Sequence, residues 1–469
     1  MAILEYDLII IGSGPAGMSA AIVARQYDLT VLILDEQPVV GGQIFRNIEH
    51  LENQRENDFR KLGPDYRLAS KLVEQFKNCG ADYLNGNSVW HIEKEMIVRT
   101  ITTVTDKGNK SSLAFKAKRI LIAVGAMERP IPLPGWTLPG VMACSSIDVL
   151  FKSSGLLPKG EVVLAGNGPL LLLIANRLLD AGVKVSALLD TKPKKAIFKA
   201  LPYLPAALRT PGYLVKGAGM ILKLRTSKVR IYSGIEDIKA EGEKNLNQVS
   251  FKTNGQWRTT KTDLLLLHQG LVPNIQLSRL LRCAHQWYDT QRYWEPILDE
   301  WGNSTVKGIA VAGDCGRVSG SKISELSGQI AAFEAAKALR IISKSERDTF
   351  AKASCLELKK QNSPRPFLDQ YFAPQKNWIV PKDNDTVVCR CEEVTVRDIR
   401  DSVRLGVKSP DRIKAMTRFG MGFCQGRMCG LTASEIIADE LNSSPADVGY
   451  QRVRSPTKPV TLGQLVDSD

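Results

Sequence analysis

Nine cysteines occur among 469 residues, and four of them are spaced to act together, as Cys389-x-Cys391 and Cys424-x4-Cys429. Four thiolates suit either a zinc ion or an iron–sulfur cluster. Structural zinc favours C-x2-C knuckles, so a C-x-C pair leans toward iron–sulfur. Residues i and i+2 of an extended strand share a face, which would bring Cys389 and Cys391 to one site. Gly420, Gly422, Gly426 and Gly430 punctuate the second pair and allow a tight wrap around an inorganic core. The other five cysteines (Cys79, Cys144, Cys283, Cys315, Cys355) are scattered and read as core residues. An odd count argues against a disulfide framework.

The second chemistry is phosphate binding. Gly12-Ser-Gly14-Pro15-Ala16-Gly17 follows the apolar run YDLIII and precedes a helical stretch from Met18 to Tyr27. The strand VLILD then ends at Asp35-Glu36. In this order Gly12 permits the tight turn, Gly14 lets backbone approach a pyrophosphate, and Gly17 lets helix and strand pack closely. The helix N-terminus offers free N–H groups to phosphate. An acid about twenty residues on binds ribose hydroxyls; Asp35 has the better spacing and Glu36 is second. Gly41-Gly42-Gln43 suits a further close approach of backbone to a bulky cofactor. Much later VKGIAVAGD reads as a strand ending in Gly313-Asp314, an acid at a strand's C-terminal end. A second strand–turn–helix–strand unit spans 161–190, with Gly166, Gly168 and Asp190. Leu171 stands where the third glycine belongs, so that loop must take another geometry or hold its helix farther off. Lys192, Lys194 and Lys195 stand near enough in sequence to meet phosphates, although a solvated basic loop is the commoner reading.

Those motifs need elements to carry them. The chain reads as α/β, with two interleaved Rossmann-like domains and a small helical cysteine domain. The boundaries are 1–135 and 271–345 for the first nucleotide domain, 136–270 for the second, 346–380 for a linker, 381–445 for the cysteine domain, and 446–469 for an extended tail. In the cysteine domain helices are expected at 395–405, with a Thr395/Asp398 capping box and a Gly406 stop, at 409–418, and from about Thr432. The formal charge is +14, yet no basic stripe interleaved with aromatics indicates nucleic acid. The basic surface suits acidic partners or ligands. No run of eighteen apolar residues predicts a membrane span, and the N-terminus lacks a signal peptide's basic region. A cytoplasmic protein follows.

The order GxGxxG, acid, GGQ, AVGAMERP (123–130, with Gly125) and late GD resembles the flavoproteins with two dinucleotide domains, which include thioredoxin and ferredoxin reductases. The resemblance implies FAD, with Asp314 on its ribityl chain, and NAD(P)H in the second domain; the Leu171 departure makes ATP or a vestigial site at least equal there. The cysteine spacing resembles bacterioferritin-associated ferredoxin, implying a [2Fe–2S] cluster on Cys389, Cys391, Cys424 and Cys429. ERPIPLPGWTLPGVM, LLLHQGLVPNIQL and RPFLDQYFAP resemble the larger FAD subunit of heteromeric amine dehydrogenases: opine oxidases, proline and hydroxyproline dehydrogenases, and hydrogen cyanide synthase. That likeness implies electron relay from a D-amino-acid-oxidase-like FAD subunit, often with a small ferredoxin-like subunit. It also implies FMN at a subunit junction in some relatives and ATP in the second domain of others. An external acceptor such as a quinone is expected to drain the electrons, which would bring the assembly to the membrane surface.

Absences narrow the chemistry. GGQIFRN has no cysteine after its glycines, and Ala143-Cys144-Ser145-Ser146 offers one thiol where a dithiol would be needed. Disulfide reduction is therefore rejected, and no residue is assigned a catalytic role. The competing reading is a stand-alone NAD(P)H-dependent reductase that passes electrons out through its cluster.

Overall fold

The structure is a computed structural model, and it describes residues 3–103 and 112–466. Leu8–Ile11 is a wholly buried, branched apolar run, so it forms the central strand of a sheet covered on both faces. This strand, Leu4–Ile11, pairs in parallel with Val31–Leu34 on one side and Ser112–Ile122 on the other. Ile309–Val311 joins the same sheet beside Ile120–Ile122, nearly two hundred residues later. The first sheet thus takes strands from both ends of the chain's first 345 residues.

Between those pieces lies a second sheet, all parallel. Its order is Arg230–Ser233, Val185–Asp190, Val162–Gly166, Leu264–His268, Val141–Ala143. The chain leaves the first domain through Ala126–Glu128 and re-enters it through Leu271–Pro273. These two short strands pair antiparallel, so exit and entry lie side by side. The interleaving read from the sequence is the observed architecture. A three-stranded antiparallel sheet over 235–261 covers part of the second domain.

The stretch 346–380, read as a linker, is largely helical: Lys344–Asn362 starts on a Ser343/Glu346 capping box, and Arg365–Tyr371 follows. In the cysteine domain, Val396–Arg404 begins with Thr395 and Asp398 bonded as a capping box, and Gly406 turns at φ +92° just past its end. Pro410–Thr417 and Gly430–Glu440 complete the domain around Val388, Val396, Ile399, Ile413, Phe419 and Ile436. The third helix begins two residues before the expected Thr432, at the residue after Cys429. The shared strand face expected for Cys389 and Cys391 is not what the chain forms. The strand carrying Cys389 ends there, and Cys391 sits in the following turn, where Glu393 takes a positive φ. The turn, not a shared strand face, sets the direction of Cys391.

Beyond the short helices Pro445–Val448 and Leu462–Val466 the described tail has no regular structure. It crosses from the cysteine domain to the first domain, where Thr457 N donates to Trp90 O at 3.1 Å. Among the described residues no helix is long and apolar enough to cross a membrane.

Candidate cofactor sites

The first glycine loop is built by close approach. A Cβ on Gly12 would lie 2.5 Å from Ala123 O, and one on Gly17 would lie 1.9 Å from Gly12 O. Gly42 takes φ +59°, and a Cβ there would lie 3.0 Å from Gly14 Cα. The loop and the GGQ turn therefore form one bare backbone surface at the start of helix Pro15–Gln26. Helix Ser321–Ala338 crosses that helix so tightly that a Cβ on Gly328 would meet Ala16 O at 2.1 Å. Gly313 abuts Ala16 in the same way. Two helix N-termini, with the N–H groups each leaves unpaired, thus converge beside Asp314. Asp314 Oδ1 accepts from Ser319 N (2.8 Å) and Gly320 N (3.0 Å), which fixes the carboxylate. Gly328 has no sequence signal, because its need arises only from a helix crossing.

Asp35 and Glu36 separate clearly. Asp35 is buried; one oxygen accepts from Ser13 N (2.6 Å) and Ser13 Oγ (2.7 Å), the other from Gln37 N (2.8 Å). Asp35 thereby braces the glycine loop. Glu36 is exposed at the strand end and pairs with Lys458 of the tail.

In the second domain Gly166 and Gly168 sit at the sheet's switch point, between the strands ending at Gly166 and His268. Gly168 takes φ +139° where its counterpart Gly14 takes −73°, so the loop does adopt another geometry. Leu171, in the third glycine's place, is buried in the cluster that holds Leu164, Ile174 and Leu188. The edge of the buried His268 ring lies under Gly168, with Nε2 2.8 Å from where a Cβ would stand. His268 Nδ1 bonds Glu128, which in turn accepts from Ser145 N (2.6 Å) and Ser145 Oγ. The sequence hides this chain of contacts, because its members are more than a hundred residues from His268. Asp190 ends its strand, accepts from Lys192 N and pairs with Lys192 Nζ, which lies over the Tyr371 ring. Lys194 reaches Asn254.

The four C-terminal cysteines converge as two thiol pairs, Cys389 with Cys429 and Cys391 with Cys424. The Cys429 thiol, together with backbone N–H groups of Gly420, Glu392 and Cys391, draws Cys389 down to about 6, while the shared proton holds Cys429 well above its ordinary value. Burial raises Cys391. Among the described residues no three Cys, His, Asp or Glu side chains are gathered as the shell of one ion. Four thiols in contact as two pairs fit the four-cysteine donor set of an iron–sulfur core. Glycine is obligatory in the wrapping loop: a Cβ on Gly422 would lie 2.2 Å from Cys391 Cβ. The tail's Gln451, fully buried, fills the space beside Gly420, Gly426 and Gly430. Of the other cysteines, Cys144, Cys283 and Cys315 are buried, and Cys79 and Cys355 partly so.

The two regions are joined. Asn274 N donates to Gly125 O at 3.0 Å, and Gln276 reaches Gln425 O, beside Cys424. Arg129, fully buried and drawn to about 10 by burial, remains charged at neutral pH. It donates to Gln269 O and Arg292 O, and Arg292 in turn grips Glu435 on the helix after Cys429.

Comparison with known proteins agrees with this architecture. The profile described as pyridine nucleotide-disulphide oxidoreductase matches residues 6–336, and the sarcosine oxidase A3 domain matches 384–468. The chain belongs to the pyridine nucleotide-disulphide oxidoreductase family. It is 39% identical to an opine oxidase subunit of Agrobacterium tumefaciens (strain Ach5), over 98% of this chain and 91% of that protein. It is 28% identical to hydrogen cyanide synthase subunit HcnB of Pseudomonas protegens, over 99% of this chain and 98% of that one. The crystal structure of L-proline dehydrogenase from P. horikoshii shares the fold, with a TM-score of 0.71 at 19% identity over 99% of this chain and 80% of that one.

Proposed function

We propose that the chain is the FAD- and [2Fe–2S]-carrying electron-relay subunit of a heteromeric opine or amino-acid dehydrogenase. It would take electrons from a D-amino-acid-oxidase-like partner and deliver them to an external acceptor. One observation carries this reading: the redox dithiol of disulfide reductases is missing, while four cysteines converge in a domain bonded directly to the flavin-side strands. The likeness to an opine oxidase subunit supports the substrate class.

The residues divide the work. Gly12, Gly14 and Gly42 admit the FAD pyrophosphate, and Pro15, Ala16 and Gly17 begin the helix whose N–H groups face it. Glu36 accepts from ribose hydroxyls, while Asp35 holds the loop. Gly125, Gln43 and Gly313 line the cofactor, and Asp314 accepts from the ribityl chain. Cys389, Cys391, Cys424 and Cys429 ligate the cluster, and backbone N–H groups directed at Cys389 tune it. Bound FAD supplies two-electron chemistry, and the cluster supplies one-electron transfer. Gly166, Gly168 and Asp190 hold a second nucleotide such as ATP, with His268 Nε2 facing its phosphates. FMN at the junction with the partner would complete the relay.

The test is anaerobic reduction. With the partner subunits present, an opine or imino acid bleaches the flavin; the isolated chain stays oxidised with the same substrate. Bleaching of the isolated chain by NADH or NADPH would instead establish a stand-alone reductase.

A further inference from the structure

The segment from Thr191 to Ile235 contains ten Lys and Arg residues and no Asp or Glu. Acids make up 49 of the protein's 469 residues, and from outside the segment Asp190 pairs with Lys192 and Asp180 with Lys223. The same segment carries the second domain's outer helices, Ala196–Ala200, Leu204–Ala207 and Pro211–Thr226. Their inner faces are accounted for. Ala200, Ala207, Leu204 and Leu214 pack on Phe367, Leu368 and Tyr371, and Asn176 Nδ2 donates to Met220 O. Their outer faces are apolar. Phe198 is 68% exposed, Leu208 57%, Val215 70% and Leu222 63%. On the long helix only Leu224 is buried, and Val215, Ala218 and Leu222 line up at i, i+3 and i+7 on the open side.

We propose that this basic, apolar face docks on an anionic membrane surface, with Phe198, Leu208, Val215 and Leu222 entering the headgroup layer and Lys195, Lys199, Arg209 and Arg225 meeting lipid phosphates. Helices of this composition lie in the plane of the interface, held by buried apolar area plus attraction to anionic lipid. A protein partner fits less well. Protein interfaces are depleted in lysine at their centres, whereas here lysines alternate with the exposed apolar residues. The proposal does not rest on the relay reading, because it uses no cofactor residue.

The experiment is co-sedimentation of the full chain with phosphatidylcholine vesicles, and with vesicles containing phosphatidylglycerol, alone and assembled with its partner subunits. Binding is expected to the anionic vesicles only, in both forms, and to weaken as salt rises. The combined variant Lys195→Gln/Lys199→Gln/Arg209→Gln is expected to bind roughly a hundredfold more weakly, about fivefold per charge. Phe198→Ser/Val215→Ser/Leu222→Ser is expected to abolish binding while flavin content stays normal. These side chains are exposed, so a thermal melt checks that both variants fold. No binding to anionic vesicles, or equal binding by the variants, overturns the proposal. Vesicle binding by the free chain that the assembled complex loses also overturns it and assigns the face to an intersubunit contact.

Discussion

Arg292 and Glu435 form a two-pronged ion pair between the cysteine domain and the turn that joins the antiparallel strands His285–Tyr288 and Tyr293–Pro296, with Glu435 fully buried. Arg292 lies in the turn whose carbonyl receives Arg129, and Glu435 lies on the helix that begins directly after Cys429. The pair therefore ties the exit of the first domain to the cysteine loop. Removing one partner leaves a buried charge without compensation, which costs about 3–5 kcal/mol. Arg292→Ala is expected to lower the melting temperature and to loosen the cysteine domain first. Limited proteolysis, followed by iron assay of the fragments, reads this out. Cleavage unchanged from the parent chain would show that the pair is not the anchor.

Asp35 and Glu36 are neighbours with different expected phenotypes. Glu36→Gln removes a charged acceptor at the ribose position, worth about 1.5–3 kcal/mol, so FAD should bind on the order of ten- to a hundredfold more weakly. The fold should be unaffected. Asp35→Asn turns one of the two accepting oxygens into a donor that must face either Ser13 N or Gln37 N, so the loop itself should destabilise. Flavin titration of the apoprotein and thermal melts, taken together, separate the two. If Asp35→Asn weakens FAD at unchanged stability and Glu36→Gln does nothing, the assignment reverses.

How much of this can be read without coordinates depends on how local the cause is. The first glycine loop is legible because its strand, glycine turn, helix and second strand follow one another directly in sequence, although the atom that bars a side chain at Gly12 is Ala123 O, far along the chain. The Thr395/Asp398 capping box and the Gly406 stop are legible for the same reason. Spacing favours Asp35 at the ribose, but spacing does not say which carboxylate turns inward; the Ser13 and Gln37 donors decide that. Gly328 carries no motif, since only the crossing helix at Ala16 forbids a side chain there. Glu128 and His268 on two strands and Ser145 on a helix meet from three parts of the chain, and Gln451 reaches the cysteine loop from beyond it. Cys391 shows the reverse error: a local strand rule fails there because the strand has already ended.

His285 gives a pH prediction. Burial, with the nearby Arg279, pulls its pKa down to about 4, while Nδ1 donates to Cys283 O and Nε2 lies 2.9 Å from Ser278 Oγ. The folded protein thus keeps the ring neutral over a range where the unfolded chain, titrating near 6.5, takes up a proton. Stability from this group is fully present above pH 6.5 and is lost as pH falls toward 4, by up to roughly 3 kcal/mol. His285→Gln should flatten that part of the stability–pH curve. Urea melts of both proteins between pH 4 and 7 measure it, and identical slopes would exclude His285 as the source.

Gln451 tests whether the tail belongs to the cysteine site. Its side chain is fully buried, Nε2 donates to Gln425 O at 3.3 Å, and it occupies space that a Cβ on Gly420 or Gly426 would enter. Both glycines also hold positive φ, so alanine at either is strained whatever the space. Gln451→Ala opens a void beside the loop bearing Cys424 and Cys429, and water then reaches the sulfurs. Iron should be lost faster to a chelator at pH 7 while FAD content stays at the parent level, because Thr457 still holds Trp90 on the first domain. Gly426→Ala should give the same loss by the opposite route, forcing Gln451 out. If chelation is unchanged in both variants, the tail only covers the cysteine loop; if FAD leaves together with iron, the tail serves the two sites as one unit.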